Sequence, residues 1–203
     1  MEHNIANVPY IYQREKYVNG CESVSAVMVL RYFGFDITAD DFIDNYLDIG
    51  RSPIQDENGV RHGADPFRQY PGDPRDDTGW GCFPPVIMSA MSRIPGIERF
   101  ELTMHRGISL DVLCRDYIDR DIPVIFWATI DMQPTHPDIE WLMSDGRVYR
   151  WLAPMHCLVL TGYRPGIYIF NDPWQKKGAE YSSAAVENAY REMGTFSLTI
   201  RPL

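Results

Sequence analysis

The chain has 203 residues, of which 45% are hydrophobic and 23% are charged, and its formal net charge is −9. This composition is that of one globular domain with an apolar core, and it excludes disordered and fibrous chains. The acidic balance and the lack of a Lys or Arg cluster argue against nucleic acid as a partner, because binding to phosphates needs clustered positive charge. No apolar run reaches the roughly 18 residues of a membrane span.

The cysteines and the first residues of the chain indicate the redox state of the thiols and the cellular compartment. The four cysteines lack the C-x-x-C spacing of zinc and redox sites, so reduced thiols are expected and neither a metal nor another cofactor is predicted. No signal-peptide pattern precedes Val8. We therefore expect a cytoplasmic protein, or an exported one trimmed of its signal. The oligomeric state is left open.

The first part of the chain predicts helices. Residues 19–34 carry apolar side chains at helical spacing and stop at Gly34, which suits the position just after a helix. This pattern predicts one helix that is buried on most sides, with Cys21 in its first turn. A second, amphipathic helix is predicted over residues 37–47, with Thr38 as its N-cap.

Residues 48–80 interrupt the helical pattern. They are rich in Gly, Pro, Asp and Arg, have no sustained apolar period, and exceed the length of an ordinary connection. We predict a single domain over residues 1–203 with a long functional loop inserted at about 48–80. After this loop, short helices are predicted over residues 84–94 and 109–120.

The second part of the chain predicts strands, which are rich in β-branched and aromatic residues and bounded by turns. They cover residues 122–130, 147–151, 155–163, 167–171 and 195–200, and a helix near 183–192 precedes the last of them. The connection at residues 164–166 is short enough for a hairpin. Helices followed by an antiparallel sheet predict an α+β fold, in which the central buried helix packs on the sheet.

Cys21 and His156 are the residues that indicate a catalytic site. A cysteine is nucleophilic as its thiolate, and the unpaired N–H groups at a helix N-terminus favour that anion. Cys21 therefore suits the role of nucleophile, and Gly20 leaves room beside it for a substrate carbonyl. The predicted hairpin brings His156 near Asn171 and Asp172, either of which can orient the imidazole as a general base.

Gln13 is the fourth candidate residue of this site. It lies eight positions before Cys21, and its amide N–H can donate to the oxyanion that forms when a thiolate attacks a carbonyl. The other cysteines, Cys82, Cys114 and Cys157, are predicted to fill the core.

Four segments of the chain resemble one family of enzymes: VPYIYQ, NGCESVSAVMVLRYFG, MHCLVLTGY and IFNDPW. They are similar to the C39-like family of papain-fold cysteine peptidases, and the long inserted segment resembles the stand-alone members. The resemblance implies a papain-like fold and cleavage of peptide bonds through a thioester on Cys21. It also implies His156 as base, Asp172 as its orienting residue and Gln13 in the oxyanion hole, whereas the pattern of papain itself would use Asn171.

Two other functions would use the same residues. An acyl transferase would pass the acyl group to an amine instead of water, and a catalytically silent module would bind a peptide or cell-wall fragment without cleaving it. The expected partner in each case is a peptide or another amide compound. The sequence leaves open which substrate is bound and whether water or an amine accepts the acyl group.

Overall fold

The computed structural model describes residues 2–203. In this range the helices are α1 (Cys21–Tyr32), α2 (Ala39–Asn45), α3 (Pro84–Ser92), α4 (Leu110–Asp116) and α5 (Ser183–Glu192). The strands are β1 (His3–Asn4), β2 (Ile49–Gly50), β3 (Ile54–Gln55), β4 (Arg61–His62), β5 (Tyr70–Pro71), β6 (Phe100–Arg106), β7 (Val124–Thr129), β8 (His136–Leu142), β9 (Val148–Ala153), β10 (Met155–Arg164), β11 (Ile167–Asn171), β12 (Ala179–Ser182) and β13 (Phe196–Pro202). None of these helices is long and apolar enough to cross a membrane.

The main sheet is antiparallel throughout the part of the chain that the structure describes. Its order is β12–β11–β10–β7–β13–β6, and β1 pairs with β10 beside this path. β10 and β11 form the predicted hairpin, in which Arg164 lies opposite Ile167 and Val159 opposite Asn171. This register returns the chain after Asn171 toward the start of β10, where His156 lies.

α1 is the central helix that the sequence predicts. Its residues from Cys21 to Leu30 are all buried, and it packs on β10 and β7 of the main sheet. Each fully buried aliphatic side chain of this helix stabilises the fold by about 1.5–3 kcal/mol. The Ser25 hydroxyl donates to the carbonyl oxygen of Cys157 over 3.2 Å. The first two turns of α1 are thereby held against the strand that carries His156.

Side-chain caps begin α2, α4 and α5, the last of them through Ser182, which accepts from the Ala185 N–H. At α2, the Thr38 side chain accepts from the Asp41 N–H, and the Asp41 carboxylate accepts from the Thr38 N–H. At α4, Ser109 accepts from the Val112 N–H. These bonds satisfy N–H groups that a helix start leaves without an intrahelical partner.

Residues 48–80 contain four short strands rather than an uninterrupted loop. β2 and β5 pair with each other in parallel, while β3 and β4 join β8 and β9 in a second sheet. We call this second sheet the arm. Each of the four strands has only two residues, which is too short for a period-two pattern to be visible in a sequence.

Tryptophan and tyrosine rings pack between the arm and the rest of the protein. Trp141 lies 5.9 Å from Trp80, 6.0 Å from Trp151 and 4.9 Å from Tyr149 between ring centroids. The Trp141 indole N–H also donates to the carbonyl oxygen of Ala64 over 2.9 Å. The inserted segment is therefore anchored to the aromatic side chains of β8 and β9 through Trp80 and the carbonyl oxygen of Ala64.

Candidate active site

Cys21 is the first residue of α1, which begins after Gly20 without a side-chain cap. The positive end of the helix dipole therefore lies at this thiol. Only 6% of the Cys21 surface is exposed. A Cβ atom at Gly20 would lie 2.9 Å from the Cβ of Tyr17 and 3.4 Å from Pro74. Close packing therefore requires glycine here, and the space that the sequence assigned to a substrate carbonyl is occupied by these two residues.

The Cys21 thiol is bonded to the next residue along the helix. It donates to Oε2 of Glu22 with an Sγ–O distance of 3.3 Å. Burial, followed by the charge of Glu22, raises the pKa of the Cys21 thiol well above its usual value. Over residues 2–203 no hydrogen bond joins this thiol to His156. The arrangement is that of a protonated thiol turned toward Glu22.

His156 and Asp172 form a buried pair next to this helix start. Their Nε2 and Oδ1 atoms lie 2.7 Å apart, and the two side chains are 2% and 1% exposed. Burial alone would raise the pKa of Asp172, but hydrogen bonds from His156 and Tyr181 outweigh it and lower that pKa. A carboxylate bonded to Nε2 fixes the proton on that nitrogen and leaves Nδ1 of His156 to accept another.

Three further hydrogen bonds hold the Asp172 carboxylate. Oδ1 accepts from the backbone N–H groups of Trp174 and Gln175 over 2.9 and 3.3 Å, and Oδ2 accepts from the Tyr181 hydroxyl over 2.6 Å. The neighbouring Asn171 has other partners: its amide donates to the carbonyl oxygens of Val8 and Pro9. The imidazole is thus bonded to Asp172, and Asn171 ties the N-terminal segment to the sheet.

Gln13 is buried near the same turn, with 2% of its surface exposed. Its backbone N–H donates to the carbonyl oxygen of Pro173 over 3.0 Å. Its side-chain Nε2 donates to the carbonyl oxygen of Val18 over 3.3 Å, and among the described residues Oε1 has no partner. The 3.3 Å bond lies beyond the usual range for N–H···O bonds, so the amide is incompletely satisfied.

Glu22 is the residue of this site that the sequence analysis missed. It is fully buried, and its Oε1 accepts from the Cys82 N–H over 2.6 Å. Burial raises the pKa of Glu22 to about 7, against the opposing effect of the Cys82 hydrogen bond. Its signal in the sequence was a lone acidic residue on a helix predicted to be buried on most sides, where a carboxylate needs partners.

The remaining cysteines occupy the core, as predicted. Cys82 and Cys157 are inaccessible, and Cys114 is 6% exposed. Burial raises the pKa of each of these thiols, so they have little thiolate character.

Part of the inserted segment covers the start of α1. The backbone N–H of Asn19 donates to the carbonyl oxygen of Pro74 over 3.0 Å, and the Asn19 side chain donates to the carbonyl oxygen of Asp76 over 2.7 Å. The Tyr70 hydroxyl donates to the carbonyl oxygen of Asn19. We call residues 72–81 the cover. It lies directly on the residues that precede Cys21.

The chain is similar to one protein family and to one curated protein over almost its whole length. The Peptidase_C39 like family matches residues 5–198. The uncharacterized protein YvpB of Bacillus subtilis is 24% identical over 199 residues, which make up 98% of this chain and 73% of YvpB.

Two solved structures share its fold. A presumed C39-like peptidase from Bacillus anthracis superposes with a TM-score of 0.84 at 20% identity, covering 100% of this chain and 98% of that one. The peptidase domain of Streptococcus ComA, a bifunctional ABC transporter of a quorum-sensing pathway, gives a TM-score of 0.54 at 12% identity, covering 97% of this chain and 100% of that one. The predicted α+β, papain-like cysteine peptidase fold is confirmed.

Proposed function

The chain belongs to the Peptidase_C39 like family, and on this premise we propose that it is a cysteine peptidase with Cys21 as nucleophile. The family resemblance drawn from the four sequence segments is confirmed by the match. The observation that carries the proposal is the buried pair of His156 and Asp172, 2.7 Å apart on the hairpin against which α1 packs. Such a pair is what a thiol needs beside it to act as a nucleophile.

The proposed reaction has two halves. The Cys21 sulfur turns from Glu22 toward His156 and gives its proton to Nδ1. The thiolate then attacks the carbonyl carbon of the scissile peptide bond, and the C–N bond breaks as His156 returns the proton to the leaving amine. Water, deprotonated by His156, hydrolyses the thioester and restores the thiol.

The other two residues act on charge that develops during this reaction. Asp172 holds the imidazole in one tautomer and stabilises the imidazolium once it forms. Gln13 supports the oxyanion together with the backbone N–H of Cys21. An incompletely satisfied amide is suited to this role, because it can turn to the oxyanion without giving up a strong bond.

Activity-based labelling with a peptide acyl electrophile tests the nucleophile. We expect a covalent adduct on Cys21, located by mass spectrometry, with no labelling of a Cys21→Ser variant. Cys114→Ser is the matched control, since it removes another thiol and should label like the unchanged chain. Labelling of Cys21 no faster than that of Cys114 would contradict the proposal and favour a silent binding module.

Product analysis separates hydrolysis from acyl transfer. The peptidase releases mainly a free carboxylate when a primary amine is present at low concentration. A product that carries the dilute amine in place of the carboxylate would assign the chain to the acyl transferases instead.

A further inference from the structure

Glu22 lies against the proposed nucleophile and has no part in the mechanism above. It is fully buried in the first turn of α1. Its Oε1 accepts from the Cys82 N–H over 2.6 Å, and its Oε2 accepts from the Cys21 thiol over 3.3 Å. A buried carboxylate is tolerated only where such partners exist, and here the reacting sulfur is one of them.

The other partner of Glu22 is rigidly placed. The carbonyl oxygen of Cys82 accepts from the Trp127 indole N–H over 2.8 Å, inside the core. A Cβ atom at Gly81 would lie 2.7 Å from Oε1 of Glu22 and 2.4 Å from Met155, so the main chain approaches the carboxylate as closely as it can. Oε1 of Glu22 is thus held in place by the backbone N–H of Cys82, and Oε2 accepts from the Cys21 thiol.

We propose that Glu22 is a positioning residue that holds the Cys21 thiol in a resting orientation and sets the pH at which this thiol ionises. The inference rests on the proposed function, since it treats Cys21 as the nucleophile. While Glu22 is charged, it accepts the S–H hydrogen bond and disfavours a thiolate next to it. Loss of that charge weakens the hydrogen bond and removes the repulsion of a thiolate.

The groups around Glu22 make its charge responsive to pH. Each element packed against it contributes a titratable side chain. They are Cys21 on α1, Tyr70 on β5, Cys82 ahead of α3, and His156 and Cys157 on β10. Of this set, only a protonated His156 carries positive charge, and it favours the ionised Glu22. The ionisation of the Cys21 thiol and that of the Glu22 carboxylate are therefore coupled.

Glu22→Gln tests the proposal, because glutamine keeps an oxygen for the Cys82 N–H and removes the charge. The rate of iodoacetamide alkylation at Cys21 would be followed by mass spectrometry from about pH 6 to about pH 11, a range that extends above the usual thiol pKa of about 8.5. We expect its midpoint to move to lower pH by about one unit or more. Exposed Glu98→Gln should leave the midpoint unchanged. A folded Glu22→Gln protein with an unshifted midpoint would overturn the proposal.

A second measurement uses His156→Ala in case Glu22→Gln does not fold. With the imidazole removed, Glu22 remains coupled to the thiol. The curve of alkylation rate against pH should therefore be broader than the curve of a single ionising group. A profile that fits a single ionisation at the ordinary thiol pKa would also overturn the proposal. Failure of the proposed function looks different, since Cys21 of the unchanged chain would then react no faster than Cys114 at any pH.

Discussion

Asp172 is held by four hydrogen bonds, from His156, Tyr181 and two backbone N–H groups. An asparagine at this position could keep the shape but could not accept all of these bonds, and it would favour the wrong imidazole tautomer. We expect Asp172→Asn to lower kcat roughly 10²- to 10⁴-fold, measured on a peptide substrate. Asn171→Ala is the control, and it should retain most of the activity per folded molecule. Reversal of these two results would make Asn171 the orienting residue.

The buried Glu22 carboxylate affects stability as well as reactivity. Its pKa is raised to about 7 in the folded protein, so the folded state keeps a proton that the unfolded chain releases near its ordinary value of about 4.3. The contribution of this carboxyl group to the free energy of unfolding should therefore be fully present below about pH 4.3. It should be lost as the pH rises from about 4.3 toward 7.

Urea unfolding at a series of pH values measures this effect. The free energy of unfolding of the unchanged chain should fall relative to that of Glu22→Gln by about 3 kcal/mol across this range. A constant difference between the two proteins would show that the folded and unfolded states share one pKa at this residue.

The residues of the candidate site differ in how readily the sequence reveals them. Cys21, His156, Asp172 and Gln13 lie in segments with an evident chemical pattern, and their roles stay predictions. Glu22 was missed because a single acidic residue on a helix is more often exposed. Only the packing of the loop before α3 shows that its carboxylate is enclosed.

Among the elements, we expect the cover to limit access to the thiol, because it is hydrogen-bonded to Asn19, two residues before Cys21. The four candidate residues are at most 6% exposed. Asn19→Ala removes the side-chain bond to the carbonyl oxygen of Asp76, worth about 1 kcal/mol. We expect Cys21 to be alkylated roughly fivefold faster in this variant.

The alkylation rate at one fixed pH checks this expectation. Asn58→Ala, an exposed position in the same inserted segment, should leave the rate unchanged. An equal rate in both variants would mean that the cover opens without breaking its bond to Asn19.

The elements predicted from the sequence are those with strong local signals. α1 has a long apolar pattern that ends at Gly34, and the short connection between β10 and β11 allows little besides a hairpin. β8 was missed because it is largely exposed, contains Pro137, and has an irregular register with β9. Its pairing with β4 depends on residues distant in the sequence, which no local pattern can show.

Over the whole molecule, α1 is the element on which the helical part and the main sheet both pack. Leu30 in this helix is fully buried, whereas Leu203 at the end of the chain is 84% exposed. Leu30→Ala should lower the free energy of unfolding by about 2–5 kcal/mol, because it leaves a cavity in the core. Urea denaturation measures the loss, and Leu203→Ala should change it little. A small effect of Leu30→Ala would mean that the core can collapse around this position.

The enclosure of the Cys21 sulfur has a consequence for durability. Peroxide attacks thiolates that solvent can reach, and it converts them first to sulfenic acid and then to irreversibly oxidised forms. A sulfur that is protonated and shielded between turnovers offers peroxide little to attack. We therefore expect the protein to keep its thiol in oxidising surroundings where a permanently ionised cysteine would be oxidised irreversibly. The cost of this protection is a slower formation of the thiolate.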